Sequence, residues 1–263
     1  MRNYKVVRCG SGLGDSLYLQ SVARHLVKQG KKIHVATNYP DIFKHLNVGT
    51  RPFTREGIDI IAHYSLRRRF QETTQFKDCC LQAGITENAE LKLDWTIENT
   101  DLVGELKAHG KPIMLVQMAR NPMNRRDNFA MDILPKYEAT QALIDTLKSK
   151  YLMVLIGSGK QLHEYQNIDV DLTNKTTITD ILDLGLACDA MLGYCSFMIP
   201  LAESFDKPCL MVWARKGLKS QDQVIRSITP QKIIHKSSTK YVIDDYSTEQ
   251  LTEAANEFKQ TLV

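Results

Sequence analysis

Short apolar runs alternate along this chain with longer stretches in which apolar residues recur every three or four positions. The short runs predict strands at 4–9, 32–37 and 58–62, and the longer periodic stretches predict helices at 15–29, 39–46 and 67–83. The first of these helices runs into Gly30, a residue type that closes helices because it accepts the left-handed conformation. A further helix is expected over 99–109, after which Gly110-Lys111-Pro112 breaks the pattern. A second series follows, with strands at 113–116, 151–156, 189–192, 209–213 and 232–235 and helices at 135–149, 179–187 and 198–205. The last helix, 247–261, opens at Ser247 with Gln250 three residues on, the spacing of a reciprocal cap.

Strands that alternate with helices predict an α/β protein with parallel sheets. The break at 110–112 divides it into two Rossmann-like domains, 1–110 and 111–263, with the final helix free to cross back to the first. Two such domains facing each other hold a ligand in the central cleft, beyond the carboxyl ends of their strands.

Composition narrows the class only a little. Of 263 residues, 43% are hydrophobic and 24% charged, which is enough apolar surface to exclude a disordered chain. The net charge of +4 suits anionic ligands such as nucleotides or phosphorylated sugars without requiring nucleic acid. No apolar run approaches the roughly 18 residues of a membrane span, and Met1–Lys5 leads into a strand rather than a signal peptide. The six cysteines form no CxxC pair and several lie in apolar runs, so reduced thiols and a cytoplasmic location are expected. The seven histidines are scattered without HExxH or paired spacing, and neither a metal nor a bound cofactor is expected.

The segment richest in chemistry is Gly10-Ser11-Gly12-Leu13-Gly14-Asp15-Ser16, which joins the first strand to the first helix. Glycines there allow close approach to the backbone, and the helix start offers unpaired N–H groups. The third glycine comes one position too early for the dinucleotide fingerprint, and the second strand, ending Val35-Ala36-Thr37-Asn38, supplies no ribose-binding acid. A nicotinamide dehydrogenase is disfavoured. Asp15 itself admits two roles, helix cap or catalytic carboxylate. Gly157-Ser158-Gly159-Lys160 lacks P-loop spacing, and no GxSxG elbow is present. Arg67-Arg68-Arg69, with Arg51 and Arg55 upstream, is the one dense basic patch. It reads either as a solvated helix start or as a seat for an anionic acceptor.

Farther on, Asp171-Leu172-Thr173-Asn174-Lys175-Thr176-Thr177-Ile178 leads through a helix to Cys188-Asp189-Ala190-Met191-Leu192-Gly193, Ser196 and Leu201-Ala202-Glu203-Ser204-Phe205-Asp206-Lys207-Pro208. This order resembles the heptosyltransferase-like family 9 glycosyltransferases of GT-B fold, with their "DLTGKTSL", "ADLVVGNDSG" and "HLAAALGKPVV" stretches. Gly12-Leu13-Gly14-Asp15 likewise resembles that family's "GxLGD". The resemblance is close over about 60 residues and loose elsewhere, and the chain is short for the family, mainly in its N-terminal half. It implies an inverting glycosyltransferase that moves a sugar from a nucleotide-sugar donor to an acceptor hydroxyl. Asp15 is implied as general base, Gly12, Leu13 and Gly14 as the backbone around it, and no metal is required. The donor is implied to lie against Ser196, with Arg120, Asn121, Arg125 and Arg126 in the loop after the strand at 113–116, and with Lys175 as a further candidate contact. Cys195, Phe197 and Pro200 stand where the family has acid, glycine and histidine, and Asp206 replaces a glycine. Glu203 is the candidate to restore a lost polar contact. Those departures keep a second class open, a GT-B-derived module that binds a nucleotide or glycan without catalysis. The acceptor is a saccharide or, if Arg67, Arg68 and Arg69 hold a polyanion, a modified base in DNA.

Overall fold

A computed structural model of the chain describes residues 3–64, 73–86, 88–120, 132–219 and 229–260. The first half begins with β1 (Lys5–Arg8), α1 (Leu13–Lys28), β2 (Ile33–Thr37), a 3₁₀ turn (Pro40–Phe43), β3 (Gly49–Pro52) and β4 (Ile60–Ile61). These strands form one parallel sheet in the order β3-β2-β1-β4. Helices α2 (Gln75–Gln82) and α3 (Thr100–Lys107) follow. The second half continues with β5 (Ile113–Gln117), α4 (Tyr137–Leu147), β6 (Leu152–Ile156), β7 (Val170–Asp171), α5 (Ile178–Ala187), β8 (Ala190–Tyr194) and α6 (Met198–Ser204). It closes with β9 (Cys209–Trp213), the short helices α7 (Arg215–Leu218) and α8 (Pro230–Ile233), β10 (Thr239–Ile243) and α9 (Thr248–Gln260). Its six strands are parallel in the order β10-β9-β8-β5-β6-β7.

That order is the doubly wound one, and its chain direction reverses between β5 and β8. In the smaller sheet the reversal falls between β1 and β4. Loops leave the sheet in opposite directions at such a point and open a crevice beyond the strand ends. The crevices are therefore walled by residues after Arg8 and Ile61 in one sheet and after Gln117 and Tyr194 in the other.

Several expected elements differ. The 39–46 helix is only the 3₁₀ turn, and α2 starts at Gln75, capped by the Thr74 hydroxyl through the Lys77 N–H. Residues 67–72 of that expected helix lie outside the described residues. The expected strand at 232–235 is wrong. Pro230 fixes the first turn of α8 there, and the edge strand is β10, seven residues downstream of Lys232. Strands β3 and β7 are additional. Elsewhere the pattern holds, including the left-handed Gly30 (φ 75°) and the reciprocal Ser247–Gln250 hydrogen bonds that start α9. All six cysteines are free and buried. Among the described residues no helix is long and apolar enough to cross a membrane.

Helix α1 is buried on nearly all sides, from Ser16 to Ala23, because the first sheet covers one face and α6 packs across another. One hydrophobic cluster accordingly runs from Val7, Leu17 and Val22 through Ile199 and Leu201 to Leu115, Met191 and Met211. A second cluster fills the opposite face of the larger sheet beneath α4 and α9. Asp183 of α5 ties the connecting segment down. Its fully buried carboxylate accepts hydrogen bonds from the Trp95 indole (2.7 Å), the Glu98 amide (3.1 Å) and the Asn99 amide (2.7 Å). Helix α3, which Asn99 caps, packs against α5.

Candidate active site

The loop after β1 turns tightly so that Gly12 is the N-cap of α1. Asp15 is the third residue of α1, and its Oδ2 accepts the Gly12 N–H at 3.1 Å, which satisfies one of the helix's unpaired donors. The carboxylate folds over the loop so closely that a Cβ at Gly10 would fall 2.1 Å from Oδ2. Glycine is needed at position 10 for that reason. The cap occupies one oxygen only. Oδ1 lies 3.9 Å from Nε2 of His63, and the Tyr64 hydroxyl faces the same carboxylate. Both readings of Asp15 are thus compatible, because the cap uses one oxygen only.

Gly12, Leu13, Gly14 and Asp15 line a cavity of about 390 Å³, and Tyr194, Cys195, Ser196 and Phe197 line it from the second half. Tyr18, Tyr64 and Pro200 add apolar wall. A larger cavity of about 490 Å³ lies between β10 and α9, remote from both sheet reversals. The smaller one is the candidate site, because both reversals open into it and it holds the only carboxylate among its described lining residues. The halves meet here without a spacer. A Cβ on Gly14 would stand 3.4 Å from the Phe197 Cα, an ordinary contact distance.

The Ser196 hydroxyl donates to Gln117 Oε1 at 2.6 Å and accepts the Met198 N–H at 3.2 Å. Its proton is committed, so a phosphate oxygen has to displace the bond to Gln117 to receive it. Burial of Cys195 pushes its thiol up to about 12, leaving a neutral group where an acid was looked for. The Tyr64 phenol is also held well above its ordinary value, chiefly by burial and then by the Asp15 charge. His63 is lowered, mainly by burial, with Arg8 acting in the same sense and Asp15 and Asp78 opposing. Cys9, Asp15 and His63 each offer a donor atom within 4.8 Å of the others, a grouping that linear spacing conceals.

No family model matches the chain, and no curated protein matches it in sequence. Solved structures do match. Heptosyltransferase II of E. coli, an ADP-heptose enzyme, superimposes with a TM-score of 0.58 at 12% identity, covering 98% of this chain and 99% of its own. A family 9 glycosyl transferase of Veillonella parvula gives 0.63 at 11% identity, with 99% of each chain covered. TibC of enterotoxigenic E. coli, an iron-containing dodecameric glycosyltransferase, gives 0.67 at 12% identity over all of this chain and 78% of its own. The chain has the GT-B fold.

Within this GT-B fold the expected site residues separate into three groups. Asp15, Gly12, Leu13, Gly14 and Ser196 come together in the cavity. Arg120 and Lys175 do not line it. Arg120 lies exposed over Gly159, where a Cβ would meet its Nε at 3.0 Å, and bridges to Gln161. The Lys175 ammonium is spent on the Asp171 carbonyl at 2.8 Å. Its neighbour Asn174, left-handed at φ 59°, instead reaches the 157–159 loop by accepting the Gly159 N–H at 2.6 Å. Glu203 is a correction. It is fully buried and accepts the amides of His235 (2.9 Å) and Lys236 (3.0 Å), so it anchors the approach to β10 rather than a ribose. Asn121, Arg125, Arg126, Arg67, Arg68 and Arg69 lie outside the described residues.

His63, Tyr64 and Gln117 belong to no motif in the sequence. A signal for the first two was available. They follow directly on the strand beside β1, at its carboxyl end, where doubly wound sheets place ligand-facing residues.

Proposed function

We propose that this protein is an inverting glycosyltransferase that transfers a sugar from a nucleotide-sugar donor to an acceptor hydroxyl, with Asp15 as general base. The supporting observation is the division of labour at Asp15. The Gly12 amide holds one oxygen, the cap leaves the other to different partners, and the residue lines a cavity shared by both halves of a GT-B fold. The fixed oxygen orients the free one, which a base must have before it can reach an acceptor proton. In this reading the acceptor rests on the first half, beside Tyr18 and Tyr64. The donor rests on the second half, its diphosphate at Ser196 and Gln117 and its nucleoside toward the 157–160 loop and Arg120. Asp15 Oδ1 takes the acceptor proton as the acceptor oxygen bonds to the anomeric carbon. The bond from that carbon to the diphosphate breaks on the opposite face, and its electron pair leaves with the nucleotide. E. coli heptosyltransferase II uses ADP-heptose, and TibC has been solved with ADP-D-β-D-heptose, which makes ADP-heptose the first donor to test.

Asp15→Asn tests the assignment. The asparagine oxygen still accepts the Gly12 amide, so fold and donor binding persist while turnover falls by roughly 10²- to 10⁴-fold. Near-normal transfer by this variant would remove Asp15 from the mechanism.

The committed Ser196 proton and the neutral Cys195 favour a second reading, a GT-B module that binds without transfer. Nucleotide binding by calorimetry, with no sugar released to any acceptor or to water across a panel of ADP-, UDP- and GDP-sugars, would select it.

A further inference from the structure

Asp15 faces a histidine across the mouth of the cavity. Nε2 of His63 is 3.9 Å from Asp15 Oδ1, the oxygen the helix cap leaves open. The imidazole is about one-third exposed and the Asp15 side chain 18% exposed, so one edge of the ring reaches solvent while the other faces the carboxylate. Its plane is set by stacking on Tyr64, centroids 4.5 Å apart. Three elements hold the pair: β1 before the glycine loop, the first turn of α1, and the segment after β4, whose register with β1 is fixed by Val7–Ile60 and Arg8–Ile61. At 3.9 Å the pair is not yet a hydrogen bond. A single water bridging the two atoms would complete the pair.

Resting on the glycosyltransferase reading, we propose that His63 is the positioning and proton-relay partner of Asp15, aiming its free oxygen at the acceptor and relieving it of the acceptor's proton after transfer. The steps balance. Asp15 Oδ1 gains the hydroxyl proton as the new glycosidic bond forms and the diphosphate leaves. The proton then passes to the lone pair of His63 Nε2, with the ring's other proton on Nδ1. The imidazolium returns it to water from its exposed edge. The ring's lone pair and solvent-exposed edge give the proton a route out of the cavity, which restores Asp15 for the next cycle.

The groups facing His63 support this role. Asp15 from α1 and Asp78 from α2 favour its protonated form, whereas burial and Arg8 from β1 disfavour it. The thiol of Cys9 and the phenol of Tyr64 also lie close, and burial keeps both protonated. Burial thus leans the ring toward its uncharged form, the one that accepts a proton.

Two measurements on the intact 263-residue chain test the proposal separately from the enzymatic reading. Titration of His63 by NMR, in the wild type and in Asp15→Asn, needs no substrate. Removing the carboxylate charge is expected to lower the His63 midpoint by about one pH unit. An unmoved midpoint overturns the pairing, whatever the protein's activity. Steady-state turnover of ADP-heptose is the second measurement. His63→Asn is expected to lower kcat at least about tenfold with KM for the donor unchanged, and to move the acid limb of the pH profile to lower pH. A lowered kcat with the wild-type acid limb would mean His63 only packs, and overturns the relay. Loss of all transfer in the wild type, with the NMR coupling intact, would fault the glycosyltransferase reading and not the pair. Metal analysis supplies the remaining outcome. One equivalent of zinc or iron bound by the wild type and lost in both Cys9→Ala and His63→Asn would make Cys9, Asp15 and His63 ligands, and would overturn the proposal.

Discussion

Replacing Asp183 with alanine tests how the two halves are joined. The carboxylate is fully buried and serves three donors: the Trp95 indole and the amides of Glu98 and Asn99. Alanine leaves all three without their acceptor at a partly buried site. Each abandoned donor costs roughly 1–3 kcal/mol, with backbone amides near water at the lower end. The variant is also spared the cost of burying a charge, which reduces the sum. A net loss of about 3–4 kcal/mol follows, within the range for breaking a buried charged network. That is a large share of the roughly 5–15 kcal/mol that holds a typical domain. With a urea dependence near 3 kcal/mol per molar, the midpoint should fall by about 1 M. Equilibrium unfolding in urea, followed by far-ultraviolet circular dichroism and by tryptophan emission, measures it. Asp183→Asn should lose less, about 2 kcal/mol, since its amide retains one acceptor oxygen while turning an N–H group toward donors. An Asp183→Ala midpoint within about 0.3 M of wild type would show that water replaces the carboxylate and that the 95–99 segment is not held by it.

Other consequences follow from particular contacts. Gly10→Ala should disable turnover as severely as Asp15→Asn with Asp15 still present, because the new methyl claims the space of Oδ2. The lost cap should cost about 1 kcal/mol in thermal unfolding, and retention of full activity would refute the steric argument. Glu203 and His235 should give opposing pH slopes. Burial raises Glu203 to about 7, so its share of stability is present at low pH and is lost as pH rises from about 4.5 to 7. Burial lowers His235 to about 4, so its share is present above 6.5 and is lost as pH falls toward 4. In the wild type these largely cancel between pH 4.5 and 6.5. Glu203→Gln should therefore show a Tm that climbs with pH across that window, and a flat profile by calorimetry would count against the assignment. Asn174→Ala should weaken nucleotide affinity more than Lys175→Ala, because only Asn174 supports the 157–159 loop. The reverse order would place the nucleotide elsewhere.

The parts of the fold legible in the sequence were those where local chemistry and tertiary packing agree. Gly30 ends α1 because its backbone is left-handed, and Ser247 with Gln250 starts α9 through two reciprocal hydrogen bonds. Strands β5, β6 and β9 are buried on both faces and read as unbroken apolar runs. Strand β3, Gly-Thr-Arg-Pro, gave no such signal because it is an edge strand buried on neither face. At 232–235 the pair Ile233-Ile234 carries the apolar signal of a strand, but Pro230 favours a helix start and sets α8 there. In the site, Asp15 was visible because its partners lie within five residues. His63 stands 48 positions away and becomes a partner only through the β1–β4 pairing. Asp183 sits three residues after the capping Asp180 and looks, in sequence, like one more acid on a helix surface.

The unbroken cluster from Val7 through Leu17 and Ile199 to Met211 also limits how this protein can be taken apart. Neither half owns a finished interior, so a fragment cut at 110 would present to water the surface α1 and α6 now hide from each other. Chimeras that exchange whole halves with other GT-B proteins should aggregate unless that seam is exchanged with them. Specificity in such a chain is left to vary where the seam opens, at the loop ends beyond the strands, and recombination by modules is closed to it.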